Sequence, residues 1–430
     1  MEFKILNLGM NGEGVAKLDD KVVFIPQCLE GEVVDCEIKK DYKNYATAEL
    51  KTIKQTSPNR VTPPCPYYET CGGCMLQHMK YNAQLIFKQD LVKSTLKKVA
   101  NIDADVANTV ACKSQYNYRN KISLSCKENA IGFKHEQSNT IIDISACLLA
   151  KNEINCAIKS IKNLLAKTPI KSLKNIVIRE LCNQTLIAFI CKENEDMLEI
   201  ANAIVKEIKN SGVYLIINPR NDSVVIAGKI IHLCGIKNIA IDEPLKLNLN
   251  VESFYQTNED IQTKLYDYIL KQIDTDEIVI NGYSGAGVLS AMLSKKAKHV
   301  YGIEINKSAH FNAENLKKCN KISNLTNICG DFFEKYKNLI NSDNDKFIGK
   351  NKKQINTIVL DPSKKGCGKD VMQTINGIDK IIYVSCNPIA LAKDLREIIG
   401  HYNIQSVQPF DMFPNTTNVE TCVILKRKVN

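Results

Sequence analysis

The stretch EIVINGYSGAGVLS, Glu277–Ser290, decides the predicted fold. It begins with a short apolar run that is typical of a buried strand, and Gly282, Gly285 and Gly287 then precede a predicted helix start. Glycines at such a strand-to-helix turn let the backbone approach a nucleotide closely. Glu304 ends the next predicted strand, 19 residues after Gly285, where its carboxylate can accept hydrogen bonds from ribose hydroxyls. The pattern predicts a nucleotide-binding unit, and it does not distinguish NAD from S-adenosylmethionine.

Three more runs of strand length accompany this unit: HVYGIEI at 299–305, INTIVLD at 355–361 and IIYVS at 381–385. Helix-like segments separate them, as in a parallel sheet with crossover helices. We therefore predict a Rossmann-like α/β domain over residues 251–430, with ligands at the carboxyl ends of its strands.

The remainder of the chain divides into two predicted domains. Residues 1–58 alternate short apolar runs with glycine and Asp-Asp turns, which indicates antiparallel strands and a small β-barrel of the OB type. The proline-rich segment SPNRVTPPCP, Ser57–Pro66, is the predicted linker. Residues 59–250 combine an amphipathic helix, YNAQLIFKQDLVKSTLKKVA, with strand-like runs, which predicts a central α+β domain.

Composition restricts the class of protein. The chain has 430 residues, 44% apolar and 24% charged, as expected for a globular protein of two or three domains. It contains no run of about 18 apolar residues and no basic-then-apolar leader, so we predict neither a membrane span nor a signal peptide. Seventeen cysteines, an odd number, favour a reducing cytoplasm over a secreted disulfide framework.

Positive charge is concentrated in two segments. Met75–Lys134 holds ten basic and four acidic residues, and Lys335–Lys369 holds nine and three, so each has a net charge of +6. Residues 1–60 hold nine basic and ten acidic residues. Within a chain of net charge +10, the two segments either face a polyanion such as RNA or form ordinary solvated surface.

Three cysteines stand close together in CPYYETCGGC, Cys65–Cys74, with the spacing C-x5-C-x2-C. The two glycines before Cys74 let the backbone fold tightly around a bound ion, and a fourth ligand would come from elsewhere in the chain. A close triplet with a remote cysteine is the layout of several iron–sulfur sites, whereas structural zinc more often uses paired knuckles. The radical S-adenosylmethionine spacing would need cysteine at Tyr67. The alternative is three free thiols in a proline-rich loop.

Three reactive side chains lie at the ends of predicted strands. Asp361 follows a buried strand in IVLDPSKKG, Cys386 follows another in YVSCNP, and Glu420 opens the last strand. Each has a structural alternative: Asp361 as a helix cap or turn residue, Cys386 as a small buried filler, and Glu420 as a solvated edge residue. Taken singly, these residues favour the structural alternatives.

Together and in this order, the motifs resemble the RumA/TrmA family of RNA (uracil-5-)-methyltransferases, most closely the RumA-type enzymes that act on 23S ribosomal RNA. The resemblance covers nearly the whole chain, and the motifs are specific as a series. NGEGVAKLDDKVVFIPQCLEGE is similar to the family's TRAM barrel, and CPYYETCGGCMLQHMKYNAQLIFK to its cluster segment. The later motifs that are similar to those of the family are YRNKISL, SFYQTN, NGYSGAG, DPSKKG, SCNP and NVET.

The resemblance implies methylation of a uridine at C5, with S-adenosylmethionine as methyl donor and a 4Fe–4S cluster in the central domain. The implied cluster ligands are Cys65, Cys71, Cys74 and, remotely, Cys147 of DISACLLA. The implied S-adenosylmethionine contacts are Gln256, Tyr283, Glu304, Asp331 and Asp361. The resemblance further implies that Cys386 is the nucleophile and Glu420 the general base.

The sequence departs from the family pattern in three places. Asn281 stands where the family usually has aspartate, and Val288 replaces a frequent asparagine and is therefore left out of the predicted cofactor set. DPSK replaces DPPR, so that Lys364 takes the place of an arginine. Lysine offers a point charge instead of a planar fork, which could alter loop or phosphate contacts.

The predicted partner is 23S ribosomal RNA, and the predicted enzyme is a monomer in the cytoplasm. Transfer RNA is the alternative substrate, and a non-catalytic RNA-binding iron–sulfur protein is the alternative of another class. A small-molecule or DNA-cytosine methyltransferase is the third alternative. The DNA enzymes are disfavoured because they present their nucleophile after proline, whereas Ser385 precedes Cys386 here.

Overall fold

The computed structural model describes residues 1–128, 130–135, 138–220, 224–341 and 355–428. These residues form three large β-sheets in chain order. The centre of the lysine-rich segment Lys335–Lys369, residues 342–354, lies outside the described residues. No helix in the described part of the chain is both long enough and apolar enough to cross a membrane.

The N-terminal sheet has six strands in the order β1-β5-β6-β4-β3-β2. The strands are β1 Glu2–Lys4, β2 Asn7–Leu8, β3 Gly14–Leu18, β4 Lys21–Ile25, β5 Val33–Asp41 and β6 Tyr45–Gln55. β1 pairs with β5 at one edge of the sheet, and β2 pairs with β3 at the other edge. Because β1 and β2 follow each other directly in the chain, this first segment connects the two edges and closes the sheet. Alternate residues, including Val23, Ile25 and Val34, fill its core. The predicted N-terminal barrel is confirmed.

The proline-rich segment after the barrel is packed against it. The Arg60 guanidinium donates to the fully buried Glu32 carboxylate at 2.7 Å and to the Gln27 carbonyl at 2.7 Å. The Val61 N–H donates to the His78 carbonyl at 2.9 Å. The predicted linker is therefore held in a fixed position and is not a free spacer.

The central sheet has seven strands of mixed direction in the order β13-β12-β11-β10-β7-β8-β9. The elements of this part of the chain are α1 Tyr81–Ala100, β7 Lys121–Lys127, β8 Ala130–Lys134, β9 Ile141–Asp143, α2 Asn152–Lys167, β10 Leu173–Leu181, β11 Gln184–Cys191, α3 Leu198–Glu207, β12 Ser211–Ile217 and β13 Lys229–Gly235. Helix α2 buries Ile154, Ile158 and Ile161, at helical spacing, in the core that it shares with the sheet and α3. This is an α+β arrangement, as predicted.

The C-terminal sheet has seven strands in the order β18-β17-β16-β19-β20-β22-β21, preceded by the hairpin β14 Ile239–Ile241 and β15 Leu247–Leu249. Its elements are α4 Glu259–Leu270, β16 Ile278–Gly282, α5 Val288–Ser294, β17 His299–Glu304, α6 Lys307–Cys319, β18 Leu325–Cys329, α7 Phe332–Asn341, β19 Ile355–Leu360, α8 Lys369–Thr374, β20 Lys380–Ser385, α9 Pro388–Arg396, β21 Tyr402–Phe410 and β22 Glu420–Arg427. β16 to β20 run parallel, and β22 runs antiparallel between β20 and β21.

The strand order reverses between β16 and β19, which pair with each other at the centre of the sheet. The apolar runs predicted as strands are almost completely buried, as expected for parallel strands covered on both faces. In such sheets ligands bind outside the carboxyl ends of the strands at the reversal point. The fold therefore places a site at the turn after β16, and the predicted Rossmann-like domain is confirmed.

Helix α1 packs on the C-terminal sheet through α9 and β21, although its sequence lies in the predicted central domain. Lys88 of this helix forms a salt bridge with Asp411 in which both side chains are fully buried, and it donates to the Phe413 carbonyl at 3.0 Å. Lys88 therefore belongs to the interior and not to an RNA-facing surface. The domain boundaries after residues 58 and 250 stay predictions.

Candidate active site

The turn after β16 is built on residues with left-handed backbone. Tyr283, Gly285 and Gly287 have φ values of +60°, +56° and +82°. A Cβ at Gly287 would lie 2.7 Å from the Cβ of Ala313, so glycine is required where the turn meets α6. At Gly285, no described atom lies within 4 Å of the corresponding position, so this part of the turn is open to a ligand.

Two acidic residues follow the neighbouring strands β17 and β18. One oxygen of Glu304 accepts the Gly285 N–H at 2.8 Å, and the other accepts the Asn306 N–H at 2.7 Å. Asp331 is exposed at the start of α7. Burial raises the pKa of Tyr283, and the nearby charge of Asp331 adds to this shift. Both carboxylates therefore stand beside the glycine turn.

A pocket opens at the strand reversal. Its lining residues are Phe254, Tyr255, Gln256, Gln262, Tyr266, Asn281, Tyr283, Ser284, Gly285, Ala286, Val288, Leu289 and Asp361. Three of the five predicted S-adenosylmethionine contacts, Gln256, Tyr283 and Asp361, line this pocket. Glu304 is linked to the lining through the Gly285 N–H. Val288, which the predicted cofactor set excludes, also lines the pocket.

The polar groups of the pocket fit S-adenosylmethionine. The Asn281 side chain is buried, and its amide donates to the Ser290 hydroxyl at 2.8 Å. Its Oδ1 has no hydrogen-bond partner among the described residues, which is costly for a buried acceptor unless a ligand donates to it. Together with the Glu304 carboxylate, it offers acceptors for the hydroxyl and ammonium groups of a nucleoside that carries an amino acid.

Sequence reasoning missed two pocket residues on α4. Gln262 and Tyr266 are one helical turn apart and both are buried, and the Gln262 amide donates to the Tyr266 hydroxyl at 3.4 Å. Burial raises the pKa of Tyr266, and the charges of Asp361 and Glu420 add to the shift. Tyr266 therefore lines the cofactor pocket and lies close enough to both carboxylates for their charges to act on it. The only signal in the sequence was a polar pair at helical spacing after SFYQTN.

Asp361, Cys386 and Glu420 form one electrostatic cluster at the ends of β19 and β20 and the start of β22. Burial raises the pKa of Asp361 to about 7. Burial, followed by the charge of Asp361, raises the pKa of Glu420 well above its usual value. Burial raises the pKa of the Cys386 thiol to about 11, with a further contribution from Glu420. The charge of Lys364 acts in the opposite direction on both Glu420 and Cys386.

The SCNP turn holds Cys386 at the N-terminus of α9. Asn387 caps the helix by accepting N–H groups of its first turn, and Pro388 occupies the first helical position, where a missing N–H costs little. The Ser385 hydroxyl accepts the Asn387 N–H at 3.1 Å. The Asn387 amide donates to the Lys364 carbonyl at 2.9 Å, which ties the turn to the DPSKKG loop. A helix N-terminus favours a nearby thiolate.

Glu420 is buried, with 4% of its surface exposed. β22 lies between β20 and β21, and Ser385 pairs with Thr421, so Glu420 stands at the end of β20 next to the SCNP turn. The structural alternative of a solvated edge residue is wrong, because β21 covers that side of β22.

The four predicted cluster ligands lie near one another, but a metal site is not shown. Burial raises the pKa of Cys65, Cys71 and Cys74, and the charge of Cys147 adds to each shift. The remote cysteine has therefore joined the triplet. Within the described ranges, no three or more His, Cys, Asp or Glu side chains are arranged to hold a metal ion. The predicted 4Fe–4S cluster is thus not supported by the structure.

The strand order, the glycine turn and the acidic strand ends define a nucleotide-binding α/β domain. Its similarity to methyltransferases identifies the class of protein, an S-adenosylmethionine-dependent methyltransferase. The tRNA (Uracil-5-)-methyltransferase family model matches residues 80–428, and the TRAM domain model matches residues 1–51. The chain belongs to this RNA (uracil-5-)-methyltransferase family and has an N-terminal TRAM domain. The predicted family, enzyme class and TRAM domain are confirmed.

The similarity to other proteins extends over nearly the whole chain. An uncharacterized RNA methyltransferase of Listeria innocua is 32% identical over 100% of this chain and 98% of its own. One of Clostridium tetani is 35% identical over 98% of this chain and 95% of its own. The crystal structure of Pyrococcus abyssi tRNA (uracil-54, C5)-methyltransferase in complex with S-adenosyl-L-homocysteine has a TM-score of 0.78, at 25% identity over 99% of both chains.

Proposed function

We propose that this protein methylates C5 of a uridine in 23S ribosomal RNA, as a monomer in the cytoplasm. The observation that supports this most is the cluster of one thiol and two carboxylates, Cys386, Asp361 and Glu420, beside the cofactor pocket. S-adenosylmethionine, when bound, supplies an electrophilic methyl group on a sulfonium. The residues that hold it in this proposal are Gln256, Tyr283, Glu304, Asp331 and Asp361.

Cys386 is the nucleophile of the proposed reaction and Glu420 the base. C5 of uracil is too weak a nucleophile to take a methyl group from a sulfonium unaided. When the Cys386 thiolate adds to C6, the C5–C6 electron pair moves into an enolate, and C5 then bonds the methyl group as the sulfonium becomes a thioether. Glu420 removes the C5 proton, the C5–C6 double bond re-forms, and the thiolate leaves C6.

Both groups must lose a proton before they act. Burial opposes this, because it raises the pKa of Cys386 to about 11 and that of Glu420 well above its usual value. Lys364 and the N-terminus of α9 favour the thiolate. Adduct formation should therefore become faster as the pH rises through the neutral range.

The target uridine has to leave its stack to reach Cys386. Unstacking costs a few kcal/mol, which contacts to the RNA backbone offset. In this proposal the TRAM domain and the exposed lysines of the two basic segments provide these contacts, and the buried Lys88 does not.

Transfer RNA is the second candidate substrate, because the similar Pyrococcus abyssi enzyme is named for a tRNA uridine. The test incubates the purified protein with labelled S-adenosylmethionine and equal amounts of 23S ribosomal RNA and transfer RNA. Mass spectrometry then locates 5-methyluridine. We expect 5-methyluridine in the ribosomal RNA. Label in transfer RNA alone would show that transfer RNA is the substrate instead. Bound S-adenosylmethionine without any transfer would favour the non-catalytic RNA-binding alternative.

A second proposal is that Cys65, Cys71, Cys74 and Cys147 hold a 4Fe–4S cluster with a structural or RNA-docking role. The donor set supports it, because the charge of Cys147 raises the pKa of each of the other three thiols, so all four lie close enough to interact. In a 4Fe–4S cluster each thiolate binds a different iron, so the four thiolates lie farther apart than they would around a single metal ion. Anaerobic purification should yield about four iron and four sulfide per chain. Zinc, or no metal in a folded and active protein, would contradict the proposal.

A further inference from the structure

An irregular loop leads into Glu420. This segment, Asp411–Val419, is called the 411–419 loop; it joins β21 to β22, and most of its residues are buried. Buried irregular backbone is costly unless its polar groups find partners. Five consecutive residues of the loop accept hydrogen bonds from side chains elsewhere in the chain. The pairs are Lys88 with Asp411, Asn258 with Met412, Lys88 with Phe413, Tyr118 with Pro414 and Gln84 with Asn415.

Asn415 is the most heavily bonded residue of these five. Gln84 of α1 accepts the Asn415 N–H at 2.9 Å and donates to its Oδ1 at 3.1 Å. The Asn415 amide donates to the Gln115 carbonyl at 2.9 Å. Gln84 is completely buried, and Asn415 is 1% exposed with a φ of +66°, a conformation that asparagine and glycine tolerate. Two amide side chains thus fix the backbone five residues before Glu420.

The cysteine segment is attached to the same residue. The Asn415 carbonyl accepts the N–H groups of Met75 and Leu76 at 3.1 and 3.0 Å, and these two residues directly follow Cys74. Gln84 also donates to the Leu76 carbonyl at 3.1 Å. Asn415 therefore connects α1, the cysteine segment and the strand that begins with Glu420.

From these contacts we infer that Gln84 and Asn415 are positioning residues for proton abstraction by Glu420. The cysteine segment acts on the reaction through them, because its backbone holds the same loop. The inference rests on the proposed function, in which Glu420 removes the C5 proton. Cys386 follows β20, and the residues that line the cofactor pocket lie outside the 411–419 loop, so a displaced loop slows the release of the covalent adduct and does not slow its formation.

The test compares Q84A with Q89A on the same helix, since the Gln89 amide donates away from the loop, to the Val106 carbonyl at 2.7 Å. N415G is the second variant, because glycine adopts the same φ without the side-chain bonds. Wild type and E420Q serve as references. Each protein is mixed with S-adenosylmethionine and RNA for a single turnover. Three quantities are followed: the amount of covalent protein–RNA adduct that survives denaturation, the methyl transfer to RNA, and the affinity for S-adenosylmethionine.

Q84A and N415G should release the adduct about 10-fold more slowly than wild type, because a misplacement of about 1 Å can cost about 10²-fold in rate. Their adduct formation and S-adenosylmethionine affinity should match those of Q89A. Two outcomes would overturn the inference. One is an equal adduct lifetime in wild type, Q84A, N415G and Q89A. The other is a loss of methyl transfer in Q84A and N415G without a persistent adduct. If Q84A does not fold, the adduct lifetime of N415G decides whether the inference holds. Absence of any adduct in wild type and E420Q would instead reject the proposed function.

Discussion

The strand-end site and the cysteine segment both bring titratable groups together, but they do so by different means. The strand-end site takes Asp361, Cys386 and Glu420 from three strands that are neighbours only in the sheet. The cysteine segment takes three thiols from one loop and adds Cys147 from another part of the chain. Sheet topology builds the first site, and a tight local sequence builds most of the second.

The two sites also differ in what would stabilise the charged forms of their buried groups. In the strand-end site burial raises the pKa of Asp361, Glu420 and the Cys386 thiol, and the charge of Asp361 adds to the shifts of Glu420 and Cys386. These shifts destabilise the folded protein and are typical of a reactive site. In the cysteine segment burial is again the largest cause of the raised pKa values, but a bound metal would stabilise all four thiolates at once. Changes at the first site should therefore lower the rate without lowering stability, and changes at the second should lower stability.

The largest effect is expected for Cys386→Ala. Without the thiolate, C6 of uracil is not attacked, so methyl transfer to RNA should fall by at least ~10³-fold while Tm changes little. Transfer of labelled methyl groups and thermal unfolding measure the two quantities. The matched control is C319A, an exposed cysteine at the end of α6. Undiminished transfer by the Cys386 variant would end its assignment as nucleophile.

Cys147→Ser should show the opposite profile. Loss of one thiol of four should lower the iron content and reduce Tm by several degrees, while folded molecules keep part of their methyl transfer. Metal analysis and thermal unfolding are compared with those of C156S, an exposed cysteine on α2. Full iron content and unchanged Tm, together with a loss of activity as large as that of Cys386→Ala, would place Cys147 in the chemistry and break the comparison.

Lys364→Met should have a smaller effect, on pH dependence. The Lys364 charge lowers the pKa of Cys386, so its removal raises that pKa, and the pH profile of adduct formation should move to higher pH. Because Lys364 is exposed and screened by solvent, we expect only a ~2- to 5-fold slower reaction at neutral pH. Single-turnover rates between neutral and alkaline pH give the profile, with K365M as the control. A shift to lower pH would contradict the electrostatic role.

Asp361→Asn should give the smallest effect, on the stability of the cofactor-free protein. The pKa of Asp361 is raised from 3.8 to about 7 in the folded protein. Between these two pH values the folded protein keeps the Asp361 proton, whereas the unfolded chain has lost it. Stability from this group is therefore lost as the pH rises from about 4 to about 7. The variant should melt at a higher temperature than wild type above pH 7 and not below pH 4. An equal Tm shift at both ends would show that packing, and not charge, is responsible.

The sequence predicted much of the strand-end site because each residue stands next to a local signal. Glycines mark the turn that ends β16, and Asp361 and Cys386 directly follow apolar runs. Gln262 and Tyr266 were missed, because polar residues at helical spacing do not show which pocket their helix covers. The burial of Glu420 was also missed, since it depends on β21 returning along the outer side of β22.

By itself, the sequence determined the elements and the available chemistry: the barrel, the parallel strands, the glycine turn, a cysteine triplet and a thiol before a helix start. These follow from propensities that act over a few residues. Only the tertiary structure decided that Lys88 is internal and that Asn415 joins α1 and the cysteine segment to the strand of Glu420. Gln84 and Asn415 are 331 positions apart, and Lys88 and Asp411 are 323 apart. Burial and charge environment arise from such distant partners, which only the packing of whole elements brings into contact.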